Sequence, residues 1–294
     1  MTDLVVASFN VHTGVDGWGR PFDVVDACRR IDADILVLQE AWSPADGGPG
    51  TADEVAAALG YRVVSHPLAR CVLLPPPAAG APAGDWGPVL GVRRRRWFGP
   101  RLVPGDPAAA GHGAVSMAVR TTSVGLSEEA AHLAAPLGTW DLAMLSRVGV
   151  TRTEVVDLGH LPRDRARRVA IVADLDPDVV GRPLRVAGTH MSHLSAGSPR
   201  QLRRLAAALD LRSGRAGDVV VAGDMNLWGP PVSALLPGLR RVVRGRSWPA
   251  WRPLAQIDHL LAGPALAAAG VGEVLAVRGS DHLPIRARFR TGTS

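Results

Sequence analysis

The sequence predicts an α+β protein folded as one domain, with a two-layered β core and helices outside. Three observations carry this reading. The chain has 294 residues, 47% of them hydrophobic, enough to bury one large core. Short apolar runs of strand type alternate with stretches of helical spacing. No internal repeat and no linker divides residues 1–294.

The elements follow in order. Leu4 to Phe9 is a mostly apolar run that reads as a strand, stopping at Asn10 before the Gly-rich loop VHTGVDGWG. Pro21 opens a helix, with Val24, Val25, Cys28 and Ile31 at helical spacing. After a turn at Ala33 and Asp34, Ile35 to Leu38 reads as a buried strand ending at Gln39 and Glu40. Thr51 and Glu54 form a capping-box pattern ahead of Val55, Ala58 and Leu59, and Gly60 closes that helix. Tyr61 to Val64 restarts a strand. From about 75 to 113 the periodicity dissolves into PPPAAGAPAGDWGP and then RRRRWFGPR, a Pro/Gly/Arg-rich loop insertion.

Strand patterns return at Ala114 to Arg120, Leu142 to Arg147, Val169 to Leu175 and Leu184 to Thr189. Ser198 and Pro199 start a helix as N-cap and first residue. Leu202, Leu205 and Leu209 form its apolar face; Arg200, Arg203, Arg204 and Arg212 form its solvated side. Val219 to Ala222 and Ile257 to Leu261 are further strands, and the chain closes with GSDHLPIRARF.

The formal charge is +6, and the chain has no lysine, so all 33 basic residues are arginine. Arginine forks onto phosphate and carboxylate, which favours an anionic partner. Coding bias in an Ala-, Gly- and Pro-rich chain is the plainer explanation of the composition as a whole. Cys28 and Cys71 form no C-x-x-C pair, and Cys28 reads as a small core residue. No run reaches the roughly 18 apolar residues of a membrane span. MTDLVVASFN shows no signal-peptide pattern, so a cytoplasmic location is the expectation.

Polar residues gather at strand boundaries. Asn10, Glu40, His190 and Asp224 follow apolar strands directly, with Asn226 two residues on. Asp258 lies just inside a strand, and Asp281 with His282 precedes one. One such residue is a turn; this many carboxylates, amides and imidazoles look like a metal-assisted hydrolytic site. Phosphoryl transfer needs charge neutralised on the phosphate oxygens and a water aimed in line. Mg²⁺ is held by one or two carboxylates and keeps several waters. Glu40 suits that role, with Asn10 as a neutral oxygen ligand. Asp224 can orient or deprotonate the attacking water, and Asn226 can hold substrate or Asp224. Asp258 can pair with His282, and His190 can donate to phosphate or to the leaving oxygen.

Seven segments, ASFNVHTGVDGWGR, DILVLQEAW, LAMLSR, THMSHL, VVVAGDMN, QIDHLL and GSDHLPI, stand in one order across nearly the whole chain. The set resembles the endonuclease/exonuclease/phosphatase family. That resemblance implies a four-layer α/β/β/α sandwich, two mixed β-sheets packed face to face with outer helices. It also implies Mg²⁺-dependent cleavage of phosphate esters, with Mn²⁺ as a possible substitute. The implied metal group is Glu40, Asn10 and Asp281, and the catalytic group is His190, Asp224, Asn226, Asp258 and His282. The abasic-site endonuclease branch has an aspartate where this chain has His12, which sets the chain apart from that branch. His12 and Arg93, Arg94, Arg95 and Arg96 are candidate substrate contacts.

The expected activity is hydrolysis of a phosphodiester in nucleic acid or a phospholipid headgroup. The alternatives are a soluble phosphomonoesterase of the same fold and a silent binding protein. A calcineurin-like phosphoesterase would need D-x-H and G-N-H, a serine hydrolase G-x-S-x-G, and a P-loop enzyme a lysine; none is present. A nucleic acid or an anionic membrane surface is the candidate macromolecular partner, and nothing in the sequence implies an obligate protein partner.

Overall fold

The computed structural model describes residues 3–17, 19–73, 90–94, 100–104, 119–120, 137–161, 164, 166–193 and 197–291. Of 90–94, 100–104 and 119–120 it describes only the backbone. The first half runs β1 (Asp3–Asn10), α1 (Val24–Ile31), β2 (Ile35–Pro44), α2 (Thr51–Leu59), β3 (Arg62–Leu73), β4 (Leu90–Arg94), β5 (Pro100–Pro104), β6 (Val119–Arg120) and β7 (Leu137–Ser146). The second half begins β8 (Val150–Gly159), β9 (Arg168–Leu175), α3 (Pro177–Val180), β10 (Leu184–His190), α4 (Gly197–Ala208) and β11 (Val219–Asp224). It ends α5 (Gly229–Leu235), β12 (Arg240–Arg241), β13 (Asp258–Ala262), α6 (Pro264–Ala269), β14 (Val271–Val274) and β15 (Ile285–Arg290).

Two mixed sheets result, with strand orders β14-β15-β1-β2-β7-β3-β6 and β12-β13-β11-β10-β9-β8. Each holds one parallel pair, β1 with β2 and β10 with β11, among antiparallel neighbours. β4 and β5 pair with each other. Leu4, Val6, Ile35 and Val37 from one sheet bury against Ile171, Val186, Val220 and Leu260 from the other. Alternate residues point the opposite way. Val5, Ala7, Phe9, Leu36 and Leu38 pack under α1 and α2. Val219, Val221 and Leu261 pack under α4 through Leu202, Leu205 and Ala206. The four layers are therefore helix, sheet, sheet, helix.

Several local expectations change. The first helix begins after Asp23, whose side chain accepts from the Asp26 amide, while Pro21 bridges Val15 and closes the preceding loop. Gly50, not Thr51, caps α2, and the Asp53 carboxylate accepts from the Gly50 amide at 2.9 Å. Ser198 lies inside α4 and donates to the Ser192 carbonyl instead of capping. β3 runs on to Leu73 because its pairing with β7 shifts register at Pro67 and Ala69, absorbing the proline in a bulge. β8 has no apolar signature because it is an edge strand, exposed along most of its length. Residues 114–118 of the expected strand, and most of the 75–113 insertion, lie outside the described residues.

Gly188 sets how closely the sheets approach. A Cβ there would lie 2.7 Å from Val37 Cγ1 and 3.2 Å from Met144 Cε, across the central core. Gly188→Ala is expected to lower unfolding stability by about 1–3 kcal/mol, the usual cost of overpacking. A urea midpoint equal to wild type would show that the sheets part without strain.

Candidate active site

The alternation that builds the core also builds the site. Leu4 and Val6 face inward on β1, so Asn10 does too; Val186 precedes His190 on the same face of β10, and Val220 and Ala222 precede Asp224 on β11. On the antiparallel β13 the order reverses, with Asp258 ahead of Leu260 and Ala262. His190 is registered beside Asp224, and Asp224 beside Asp258. The polar groups thus sit where the inter-sheet core runs out, all at one end of the sandwich. A side chain at Gly223 would run into the Thr189 carbonyl, so β10 and β11 stay close at that point.

Glu40 arrives differently. Strict alternation would send it outward, opposite to Gln39, which faces inward and bonds Ser8. A bulge between Gln39 and Ala41 breaks the alternation, and Glu40 takes a left-handed φ of 58°. Its Oε1 then accepts from Asn10 Nδ2 at 2.9 Å.

Asn10 Nδ2 also donates to Asp224 Oδ2 at 3.2 Å, joining two carboxylates from different sheets. His282 Nδ1 lies 2.9 Å from Asp258 Oδ2, which also accepts from Ser247 Oγ at 2.5 Å. The other ring nitrogen of His282 faces Asp224 Oδ2 at 3.8 Å and Asp281 Oδ1 at 4.0 Å. Asp281 accepts from Trp248 Nε1 at 3.2 Å and lies 3.5 Å from His12 Nδ1. Asn226 steadies Asp224 through its backbone N–H, at 2.9 Å, and not through its side chain. Its Nδ2 donates to the Met191 carbonyl and lies 3.4 Å from His190 Nε2. A φ of 48° turns the Asn226 amide back onto Asp224.

Burial, the neighbouring Asp258 and Glu40 push the Asp224 carboxyl up to about 7, against the pull of His282 and the Asn226 amide. Burial alone would lower His282, but Asp258, Asp281 and Asp224 hold it well above the usual imidazole value. Burial and the Arg168 charge hold His190 well below it. His190 Nε2, 3.6 Å from Asp224 and 3.9 Å from Glu40, is therefore a neutral ring beside carboxylates and forms no ion pair. Burial raises Asp281, but His12, His282 and Trp248 outweigh it and keep the carboxyl low.

Asn10, His12, Glu40, His190, Asp224, Asn226, Asp258, Asp281 and His282 form one connected cluster. Arg95 and Arg96 lie outside the described residues, as do the side chains of Arg93 and Arg94. Sequence reasoning missed the supporting groups. Ser280 Oγ donates to the Asn10 carbonyl at 2.7 Å, tying the first strand to the closing loop. The Trp140 ring packs edge-on against His190 with centroids 5.0 Å apart, and Arg168 lies over that same ring at 5.0 Å. Asp164 holds Arg168 in a fully buried pair at 3.0 Å. Only Ser280 and Trp248 carried a signal, by adjoining site motifs. His259 bonds the Leu227 carbonyl at 2.8 Å, a structural role.

Four carboxylates crowd this end, and among the described residues no arginine side chain bonds to any of them. Such a set of hard oxygens fits a divalent cation. Donor atoms of Asp224, Asp258 and His282 lie within 4.8 Å of one another. Asp258 and His282 are already bonded to each other, whereas the Glu40 and Asp281 side chains keep 15% and 16% exposure.

The family model for the endonuclease/exonuclease/phosphatase family matches residues 7–282, and the chain belongs to that family, whose members are generally hydrolytic phosphoesterases. No curated protein matches the chain. Among solved structures, an endonuclease/exonuclease/phosphatase protein from Beutenbergia cavernae is 22% identical at a TM-score of 0.58, over 99% of this chain and 72% of that one. TDP2 from Caenorhabditis elegans is 14% identical at 0.53, over 98% and 74%. The human Nocturnin catalytic domain, with a bound sulfate anion, is 17% identical at 0.55, over 98% and 93%. These likenesses establish the fold. Among the described residues, no helix is long and apolar enough to cross a membrane.

The Asp258–His282 pair gives a pH prediction for the metal-free protein. A raised folded value means that the pair stabilises the protein fully below the ordinary imidazole range, about 6.5. That contribution is lost as pH rises through the folded value. Asp258→Asn removes the largest raising charge, so the His282 ring is expected to titrate at lower pH. Imidazole NMR across a pH series reads this directly; an unmoved titration would place the source elsewhere.

Proposed function

We propose that the chain is a Mg²⁺-dependent phosphoesterase that hydrolyses a phosphodiester by in-line attack of water. One observation carries this reading. The Asp258–His282 pair faces Asp224 across 3.8 Å, and Asn10 links Asp224 to Glu40 on the far side. On this reading a base, a proton donor and a cation-holding carboxylate stand side by side at one end of the sandwich.

Glu40 and Asp281, the two carboxylates that keep some exposure, would hold the cation, with Asn10 as the neutral oxygen ligand beside Glu40. Bound there, Mg²⁺ neutralises charge on the phosphate oxygens. Asp224, with a carboxyl poised near neutral pH, orients water and takes its proton. Asn226 fixes Asp224 through its backbone amide. His282, held protonated by Asp258, donates its free N–H to a phosphate oxygen. His190 stays neutral and presents Nε2 to the same space.

Hydrolysis of bis(p-nitrophenyl) phosphate tests this reading. Activity is expected with Mg²⁺ and not in excess chelator. Glu40→Gln keeps the shape but loses the charge, and the rate is expected to fall by about 10²-fold or more, recovering in part at high Mg²⁺. Full activity in chelator would sink the metal mechanism.

Asp224→Asn preserves volume and removes the base. The rate is expected to fall by about 10²-fold or more, while the melting temperature holds or rises because a repelling buried charge is gone. An active Asp224→Asn enzyme would return Asp224 to a turn residue.

A further inference from the structure

Between the site residues Asn226 and Asp258 the chain carries no acidic residue and five arginines, Arg240, Arg241, Arg244, Arg246 and Arg252. The same stretch carries Trp228, Trp248 and Trp251. Its path is fixed by backbone bonds. Arg240 is registered beside Ala262 at the far end of β13, the Val242 amide donates to Leu260, and Ser247 bonds Asp258. Trp248 then reaches Asp281. The segment thus runs the length of β13, about 14 Å at roughly 3.4 Å per residue, and ends inside the site.

Arg241 is half-buried and bonds Gln256. Arg240, Arg244, Arg246 and Arg252 are exposed, and among the described residues none has an acidic partner. Elsewhere Arg20, Arg29, Arg30 and Arg152 pair with a neighbouring acid, whereas Arg62, Arg200, Arg203, Arg278 and Arg290 are exposed and have no acidic partner among the described residues. What sets 240–252 apart is four such arginines within thirteen residues that lead to the site. Trp228, two residues from Asn226, is 67% exposed.

We infer that the 240–252 segment is a track for the sugar-phosphate backbone of a single-stranded nucleic acid, leading it into the site. This rests on the phosphoesterase reading above. Unpaired guanidinium groups along a line match a row of phosphates. The exposed Trp228 indole, two residues from Asn226, offers a stacking face to an unpaired base. A membrane partner is less well served. Membrane docking needs apolar side chains clustered on one face. Among the described residues the exposed large apolar side chains are Val155, Val179, Trp228 and Val271, on four separate parts of the chain.

The test compares wild type with a variant carrying Arg240→Ser, Arg244→Ser, Arg246→Ser and Arg252→Ser. Fluorescence anisotropy measures binding of a labelled 12-nucleotide strand, as DNA and as RNA, in chelator across a salt series. Kinetics with Mg²⁺ then use that strand and bis(p-nitrophenyl) phosphate. The variant is expected to bind at least about tenfold more weakly. Its log–log salt slope should flatten by about 0.7 for each phosphate that is no longer neutralised. KM on the strand should rise similarly, and kcat/KM on the small diester should stay at the wild-type value. Trp228→Ala should weaken strand binding by about fivefold or more.

The DNA and RNA arms identify which strand the track takes. Unchanged binding and salt slope in the arginine variant would overturn the track. So would equal losses on both substrates, which would make these residues supports of the site. Loss of co-sedimentation with phosphatidylserine/phosphatidylcholine vesicles, with strand binding intact, would overturn it in favour of a membrane surface. If wild type hydrolyses neither substrate, the phosphoesterase reading fails while the anisotropy series still decides the track.

Discussion

Four carboxylates face one another at the edge of an apolar core, and their mutual repulsion organises what surrounds them. Glu40, Asp224, Asp258 and Asp281 come from both sheets and from the closing loop. Left alone in a dry setting they would take up protons or force the sheets apart. The protein spreads the load. Asn10 shares its amide between Glu40 and Asp224, His282 balances Asp258, and Trp248 and His12 hold Asp281. One group, Asp224, is left partly uncompensated, and its carboxyl rises accordingly. The same crowding that costs stability leaves one carboxyl titrating near neutral pH, as the proposed base requires.

The two sheets and the site are one construction. Successive inward residues on β10 and β11 are apolar or glycine until the strand ends, where the same face turns polar, and on β1 that change begins at Ser8. No separate scaffold is needed, because the rigidity of the apolar layer fixes where His190 and Asp224 stand. Two cavities, of about 240 and 380 Å³, lie at the other end of the strands, near Ser146, Leu184 and Val219, and contain none of the candidate site residues.

Much of this was legible in the sequence. A buried strand that ends in Asp or His announces itself, because apolar run and polar stop adjoin in the chain, as in VVVAGD. Three outer helices, α1, α2 and α4, were legible from their spacing and capping signals, though their first residues were not; the short helices α3, α5 and α6 carry too few turns to show a period. Capping at Asp23 and Gly50 depends on backbone angles that several nearby residues could have supplied. The edge strand β8 stayed hidden, since exposure on both faces erases alternation. Ser247, Trp140 and Arg168 stayed hidden for another reason. Each acts through a neighbour distant in sequence, and nothing local distinguishes a serine that will meet Asp258 from one that meets water. The re-aiming of Glu40 was equally invisible, because a bulge is a property of two strands together.

That bulge has a consequence for how the molecule can change over time. A left-handed backbone suits glycine and costs glutamate about 1–2 kcal/mol. Glycine at position 40 would relax the strand and remove one of four repelling charges, so the fold itself would gain from losing Glu40. Screening for heat resistance alone would drift toward that replacement. On the proposed reading, Glu40 is a position where robustness and activity pull the same codon in opposite directions.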